Sequence, residues 1–85
     1  MNVFYIVTFN NTHEAMQAED ICIKEKIKVV MMPTPTYITK SCGISLKVDE
    51  IELGKLKDAI VSDKLKYKSI YQFLNNKAMQ IDINV

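Results

Sequence analysis

The sequence predicts an α+β fold: a ferredoxin-like βαββαβ sandwich with two helices on one face of an antiparallel sheet. Segments with strand composition and segments with helical spacing follow one another in that order along the chain. The chain has 85 residues, of which 48% are hydrophobic, and a chain of this length forms one core. No repeat or linker divides it. We therefore expect a single domain over residues 1–74, followed by a tail over residues 75–85 that can add one more strand.

The first strand and the first helix have the clearest patterns. Residues 3–9, VFYIVTF, are nearly all apolar and rich in β-branched and aromatic side chains, which is typical of a central strand. A helix is predicted over about 12–26, because Asn11 can cap its first turn and Glu14 can close a capping box. The apolar face of this helix consists of residues at helical spacing: Ala15, Ala18 and Cys22.

The middle of the chain predicts two strands and the second helix. Residues 28–32 form a short strand that Pro33 ends, since proline has no backbone donor. Residues 44–48 alternate between apolar and polar side chains, as in a strand with one solvated face. Asp49 and Glu52 repeat the capping pattern. The helix that follows has an apolar stripe: Leu53, Leu56 and Ile60.

The last part of the sequence predicts a fourth strand over 67–74 and a tight turn at Asn75 and Asn76. In the tail, residues 79–85 alternate strictly between apolar and polar. The tail can fold back on the fourth strand as a fifth one, or it can be donated as an edge to a second copy of the chain. Both alternatives remain open.

The predicted topology brings distant residues to one end of the molecule. With the strand order 4-1-3-2, the start of the first helix, the loop over 33–43 and the end of the second helix share that end. We therefore expect His13, Cys42, Lys64 and Lys66 to lie near one another, although they are far apart in sequence.

Cys42 is the candidate functional residue, because the reactive form of cysteine is the thiolate and its expected surroundings stabilise a negative charge. The positive end of the first helix and the backbone amide of Gly43 are two such sources. Lys40, together with Lys64 or Lys66, adds positive charge. Gly43 also allows close approach of another molecule, since it has no Cβ. The alternative is that Cys42 begins the third strand as a small buried residue.

His13 is the candidate proton acceptor. It falls in the first turn of the first helix, where the helix dipole favours the neutral ring, and a neutral imidazole can take the proton of Cys42. The alternative is a solvated histidine with no role. Cys22 is expected in the core, about 13 Å along the helix from His13, so no disulfide to Cys42 is expected.

Several classes of function are not indicated. One histidine and two separated cysteines make no metal-ligand spacing, and no cofactor motif is present. The net charge is only +1, arginine is absent and the third strand lacks an aromatic and basic pattern, so nucleic-acid binding is not expected. No apolar run reaches the length of a membrane span, and the start has no export signal. We expect a cytoplasmic protein with reduced thiols.

Two motifs together resemble a small bacterial family described as selenium/sulfur carrier protein-like. They are TFNNTHEAMQAE, at residues 8–19, and PTPTYITKSCGISL, at residues 33–46. The positions that match the family pattern are Thr12, His13, Ala15, Ala18, Glu19, Pro33, Thr34, Pro35, Ser41, Cys42 and Gly43. The resemblance covers about residues 3–73. Lys26 stands where the pattern has a helix-ending glycine, and the tail is longer than usual.

The resemblance implies a carrier or accessory protein rather than a stand-alone enzyme. Its cysteine, here Cys42, would hold sulfur or selenium as a persulfide or selenosulfide and exchange it with delivering and accepting proteins. The residues expected to form the binding site around Cys42 are Pro33, Thr34, Pro35, Lys40, Ser41, Lys64 and Lys66. The alternative is a non-catalytic interaction module that assembles, for instance as a homodimer, through its tail or its open sheet face. The aromatic residues that can line that face are Tyr5, Tyr67, Tyr71 and Phe73.

Overall fold

The computed structural model describes residues 3–35, 43–62, 64–75 and 77–81. Within these residues the chain forms two helices and five strands. In chain order they are β1 (Phe4–Thr8), α1 (Thr12–Lys24), β2 (Val30–Pro33), β3 (Ile44–Asp49), α2 (Glu50–Val61), β4 (Ser69–Leu74) and β5 (Lys77–Ile81). All neighbouring strands are antiparallel. The fold is therefore of the α+β class, as predicted.

The sheet has the strand order β2-β3-β1-β4-β5. The apolar strand β1 lies at its centre, between β3 and β4. Of the two alternatives for the tail, its described part folds back on β4, with Ile81 opposite Ile70 and Lys77 opposite Leu74. Asn75 has φ 53°, as in a tight hairpin turn. The sheet is thus one strand wider than the four-stranded sandwich expected for residues 1–74.

The hydrophobic core lies between the helices and one face of the sheet. Strand residues that share a face by alternation cluster with buried residues of both helices, so both helices lie on that face. The strand members of this core are Tyr5, Val7, Leu46, Val48 and Ile70, and the helical members are Ala15, Ala18, Cys22, Leu56 and Ala59. The small side chains of α1 are those predicted to face the core. In α2 the buried stripe is shifted, since Leu53 and Ile60 are only partly buried.

The other face of the sheet is less open than expected. Ile6 lies on it and is 1% exposed, and Phe73 is 8% exposed. The Phe73 ring stacks on that of Phe4 at a centroid distance of 5.1 Å, and Lys47 Nζ lies 4.5 Å from the centroid of Phe4. These contacts bury aromatic surface without a helix. This face is therefore not a broad exposed apolar patch.

Two of the four aromatic residues expected on the open face are elsewhere. Tyr5 belongs to the core on the helix side, where its hydroxyl accepts a hydrogen bond of 3.3 Å from Gln72 Nε2. Tyr67 packs against the same core. Of the four, only Tyr71 and Phe73 lie on the face away from the helices, opposite Ile6 and Phe4 of β1.

Both helices begin at the predicted caps. Asn11 Oδ1 accepts from the backbone N–H of Glu14 at 2.8 Å, and Asp49 Oδ1 accepts from that of Glu52 at 2.7 Å. α1 ends earlier than predicted, at Lys24. Neither helix in the described part of the chain is long and apolar enough to cross a membrane.

The end of α1 is a left-handed turn. Lys26 has φ 60°, and the backbone N–H of Ile27 donates to the carbonyl of Cys22 at 2.8 Å. This is the hydrogen bond of a Schellman motif, whose left-handed position is usually a glycine. Lys26 therefore has a conformation that the glycine of the resembled pattern would adopt at lower cost.

Candidate functional site

The loop that carries the cysteine motif is closed at its base. Pro33 is the last residue of β2 and pairs with Ile44 of β3. The next residue, Thr34, donates its backbone N–H to the carbonyl of Gly43 at 3.0 Å. The chain therefore leaves the sheet after Thr34 and returns at Gly43, and these two residues lie next to each other. The predicted site residues Lys40, Ser41 and Cys42 lie outside the described residues.

A row of hydroxyl side chains crosses the sheet at this end. The hydroxyls of Thr34 and Ser45 share a hydrogen bond, and both residues are buried. Ser45 lies opposite Thr8, and Thr8 lies opposite Ser69. Thr8 Oγ1 donates to the carbonyl of Ser69 at 3.2 Å. We call Thr34, Ser45, Thr8 and Ser69 the hydroxyl row; it lies on the face away from the helices.

Sequence reasoning missed the hydroxyl row except for Thr34. A signal was present, because Thr8 lies near the end of the first strand and Ser45 near the start of the third, both as polar residues in apolar surroundings. Their meaning depends on pairing across strands that are distant in sequence. In the structure the buried polar side-chain atoms of the described residues all have a hydrogen-bond partner, which is the condition under which burying them is tolerated.

Gly43 is not required by the backbone. Its φ is outside the left-handed region, and no atom of the described residues lies within 4 Å of the position that a Cβ would take. A side chain would therefore fit at this position. Among the described residues, the space beside Gly43, which follows Cys42 in the sequence, is therefore open.

His13 is exposed and lies in the first turn of α1. The first turn is held by Asn11 and by Glu14, whose Oε1 accepts from the backbone N–H of Asn10 at 3.2 Å. Since α1 begins four residues after Thr8, its start lies at the same end of the molecule as the hydroxyl row. His13 borders a shallow depression on the outer side of α1. The other residues lining it are Met16, Gln17, Glu19 and Asp20.

The structure does not bring Lys64 to His13, which corrects the sequence-based expectation. Lys64 Nζ lies 3.2 Å from Glu25 Oε1, and Glu25 follows α1 at its far end, about 18 Å along the axis from His13. The cause is the path after α2: the backbone N–H of Lys64 donates to the carbonyl of Ala59 at 3.0 Å. Leu65 is then buried in the core.

Lys66 is compatible with the expected end of the molecule. Its side chain is exposed. Two residues later, the backbone N–H of Lys68 donates to the carbonyl of Thr8 at 2.7 Å. The connection to β4 therefore reaches the end of β1, where the hydroxyl row lies.

Cys22 is a core residue, as predicted. It has no exposed surface. Burial, with a smaller effect of the Glu19 carboxylate, raises the pKa of its thiol to about 11. The thiol is therefore protonated at neutral pH and inaccessible, and it cannot act as a nucleophile. No cluster of His, Cys, Asp and Glu that can hold a metal ion occurs among the described residues.

The described residues define a class: a small α+β protein in which the segment that contains Cys42 connects β2 to β3. Comparison with family models narrows this class. A model described as "Putative Se/S carrier protein-like" matches residues 4–72. The chain belongs to this family. The match ends within β4, so β5 lies beyond it. Neither the curated proteins nor the solved structures gave a match.

Proposed function

We propose that this protein carries sulfur or selenium on Cys42, as a persulfide or selenosulfide, and passes it to a partner protein. The observation that carries the proposal is the state of Cys22. The sequence has two cysteines, and Cys22 is fully buried with a pKa raised to about 11. In a family described as carrier-like, this leaves Cys42 for the chemistry.

The proposed reaction consists of two thiol exchanges. The thiolate of Cys42 attacks the terminal sulfur of a donor persulfide, a new S–S bond forms to Cys42, and the donor leaves as a thiolate. An acceptor thiolate then attacks the terminal sulfur, and Cys42 leaves as a thiolate. Neither step needs an oxidant, because the sulfur transferred keeps its oxidation level. Selenium would follow the same path.

The described residues around the loop base support this role. Thr34 and Gly43 hold the two ends of the loop together, and the rigid Pro33 and Pro35 flank Thr34. No atom of the described part of the chain lies within 4 Å of the position of an added Gly43 Cβ, and we propose that an acceptor thiol approaches from this side. A carrier requires an exposed nucleophile and a docking surface rather than a deep pocket.

We further propose that three side chains assist Cys42. His13 accepts the proton of the thiol, and Lys66, with Lys40, favours the thiolate. Lys64 is a weaker candidate, because Glu25 already neutralises it. We include Ser41 among the proposed binding residues because it precedes Cys42 in the sequence.

We also propose that the fold is a ferredoxin-like sandwich with β5 as an additional edge strand. The proposed compartment is the cytoplasm, which is reducing.

The test is a transfer assay with mass spectrometry on the intact chain. The reduced protein is incubated with glutathione persulfide, freed of donor and then mixed with a small acceptor thiol. We expect the addition of one sulfur atom to the wild type and to Cys22→Ala, none to Cys42→Ser, and loss of the added atom to the acceptor. Equal loading of Cys42→Ser, or an unmodified Cys42 in the folded wild type, would overturn the proposal.

Gly43→Ala separates approach of the acceptor from folding. Because an added Cβ meets no described atom, the variant should fold with wild-type stability. If acceptors use the space beside Gly43, the variant should load sulfur but release it several-fold more slowly. A release rate equal to that of the wild type would remove Gly43 from the proposed site.

A further inference from the structure

The two edges of the sheet differ in how they are protected. β2 has four residues and ends with Pro33, which has no backbone donor. β5, on the opposite edge, carries its only charge at Lys77, its first residue, and contains no proline. Short length, proline and charge are the features that keep an edge strand from pairing with another chain. β5 has no proline, and its residues after Lys77 carry no charge.

The outer side of β5 has no partner within the described residues, since β5 pairs with β4 alone. Met79, in the middle of β5, is 63% exposed. It lies opposite Gln72, on the side of the sheet that carries the helices. The helices make their main contacts with β1 and β3, and the Met79 side chain remains exposed. β5 therefore combines unpaired backbone groups with an exposed apolar side chain.

We propose that β5 pairs antiparallel with β5 of a second copy of this chain, with Met79 opposite Met79 of the second copy. A twofold axis perpendicular to the sheet gives this register and keeps the helices of both copies on the same side. Lys77 then lies opposite Ile81 of the other copy, so the two ammonium groups do not face each other. Two five-stranded sheets become one continuous sheet.

Pairing of β5 with itself fits better than pairing of β5 with β2 of another copy. The second arrangement joins unlike edges and leaves a free edge at each end, so it would grow into filaments. Pro33 also removes a donor from β2. The family match ends at residue 72, so the pairing surface belongs to a part of the chain beyond that match. The proposed pairing does not involve Cys42.

The test is sedimentation of the full chain over a range of concentrations, with two matched variants. Met79→Lys puts two ammonium groups opposite each other at the centre of the proposed interface. Val30→Lys also replaces an exposed apolar side chain with lysine, but on the β2 edge. Val30 is 61% exposed and Met79 is 63% exposed. We expect a dimer for the wild type and for Val30→Lys, and a dissociation constant at least about tenfold higher for Met79→Lys. Circular dichroism confirms that both variants fold.

A monomeric wild type, or equal effects of the two variants, would overturn the proposal, as would growth into larger species. The register has its own test by oxidation of Met79→Cys in a Cys42→Ser background. Directly opposed residues have Cα atoms about 4.5–5.5 Å apart, within disulfide range. Ala78→Cys is the control, because its two copies would be about 8 Å apart. Cross-linking of Ala78→Cys, or none of Met79→Cys, contradicts the register.

Discussion

Glu52 Oε1 accepts a hydrogen bond of 2.6 Å from the backbone N–H of Lys28. Glu52 is in the first turn of α2 and Lys28 is in the connection between α1 and β2, so this bond ties the two halves of the chain together. Glu52 is buried, and its other oxygen lies 3.4 Å from Lys55 Nζ. The hydrogen bond from Lys28, with a smaller effect of Lys55, lowers the pKa of the Glu52 carboxyl.

This lowered pKa predicts a loss of stability in acid. A carboxyl whose pKa is lower in the folded state than in the unfolded chain stabilises the fold above the unfolded pKa, about 4.3. That contribution disappears as the pH falls through the folded pKa. Urea unfolding at neutral pH and near pH 3 should show a smaller acid loss for Glu52→Gln than for the wild type. The exposed Glu50, in the same helical turn, supplies the control Glu50→Gln. Equal acid losses for wild type and Glu52→Gln would refute the prediction.

The left-handed Lys26 predicts a stabilising substitution. A side chain at φ 60° costs roughly 1 kcal/mol that glycine avoids. Lys26→Gly should therefore raise the free energy of unfolding by about 0.5–1 kcal/mol. Lys26→Ala keeps the Cβ while it removes the charge, so it should show little gain. If both variants behave alike in chemical denaturation, the gain comes from charge and not from backbone conformation.

At Gly54 the reverse replacement, of glycine by alanine, is predicted to stabilise the fold. It lies inside α2, is exposed, and an added Cβ would meet no described atom within 4 Å. Alanine favours a helix over glycine by up to about 1 kcal/mol. Gly54→Ala should therefore raise the melting temperature by several degrees. A lower melting temperature would mean that the exposed side of α2 is in contact with something that the described residues do not include.

The buried pair of Thr34 and Ser45 predicts a non-additive effect. Thr34→Val leaves the Ser45 hydroxyl buried without its partner, and Ser45→Ala does the same to Thr34, at a cost of about 1–3 kcal/mol each. The double variant leaves neither group unpaired and should lose less than the sum of the two losses, by about 1 kcal/mol or more. Thr34→Ser keeps the hydroxyl and serves as the control. Simple additivity in denaturant unfolding would show that the two hydroxyls act independently.

Because the thiol of Cys22 is buried, we predict that it does not react with thiol reagents in the folded protein. In the Cys42→Ser variant, the remaining cysteine should not react at neutral pH until the protein is unfolded, because it is inaccessible and its pKa is raised to about 11. Titration with a chromogenic disulfide should detect no thiol in the native variant and one per chain in denaturant. Reaction of the native variant at the rate of a free thiol would place Cys22 outside the core and weaken the case for Cys42.

Local features were predictable from the sequence for a physical reason. The caps at Asn11 and Asp49 each involve a residue three positions away, and the apolar face of α1 follows from a period of 3.6 residues. The burial of Cys22 was predicted by the same spacing. The central strand was indicated by its continuous apolar run, which only a strand covered on both faces tolerates.

Other features depend on contacts between distant parts of the chain. The stripe of α2 was predicted to include Leu53 and Ile60, but the buried Glu52 takes a place on the inner side because Lys28 offers it a donor. Lys64 was expected beside His13, but its connection turns toward Glu25. The hydroxyl row forms only because three strands align Thr8 with Ser45 and Ser69.

The sequence alone determined the order of helices and strands, the caps, the burial of Cys22 and the family motifs, since each depends on residues that are close in sequence. Tertiary structure decided which end of the molecule a charge reaches, which strand the tail pairs with and which polar groups are buried together. Those outcomes depend on the side of the sheet that each helix covers and on the register between strands. Neither can be read from any single segment of the chain.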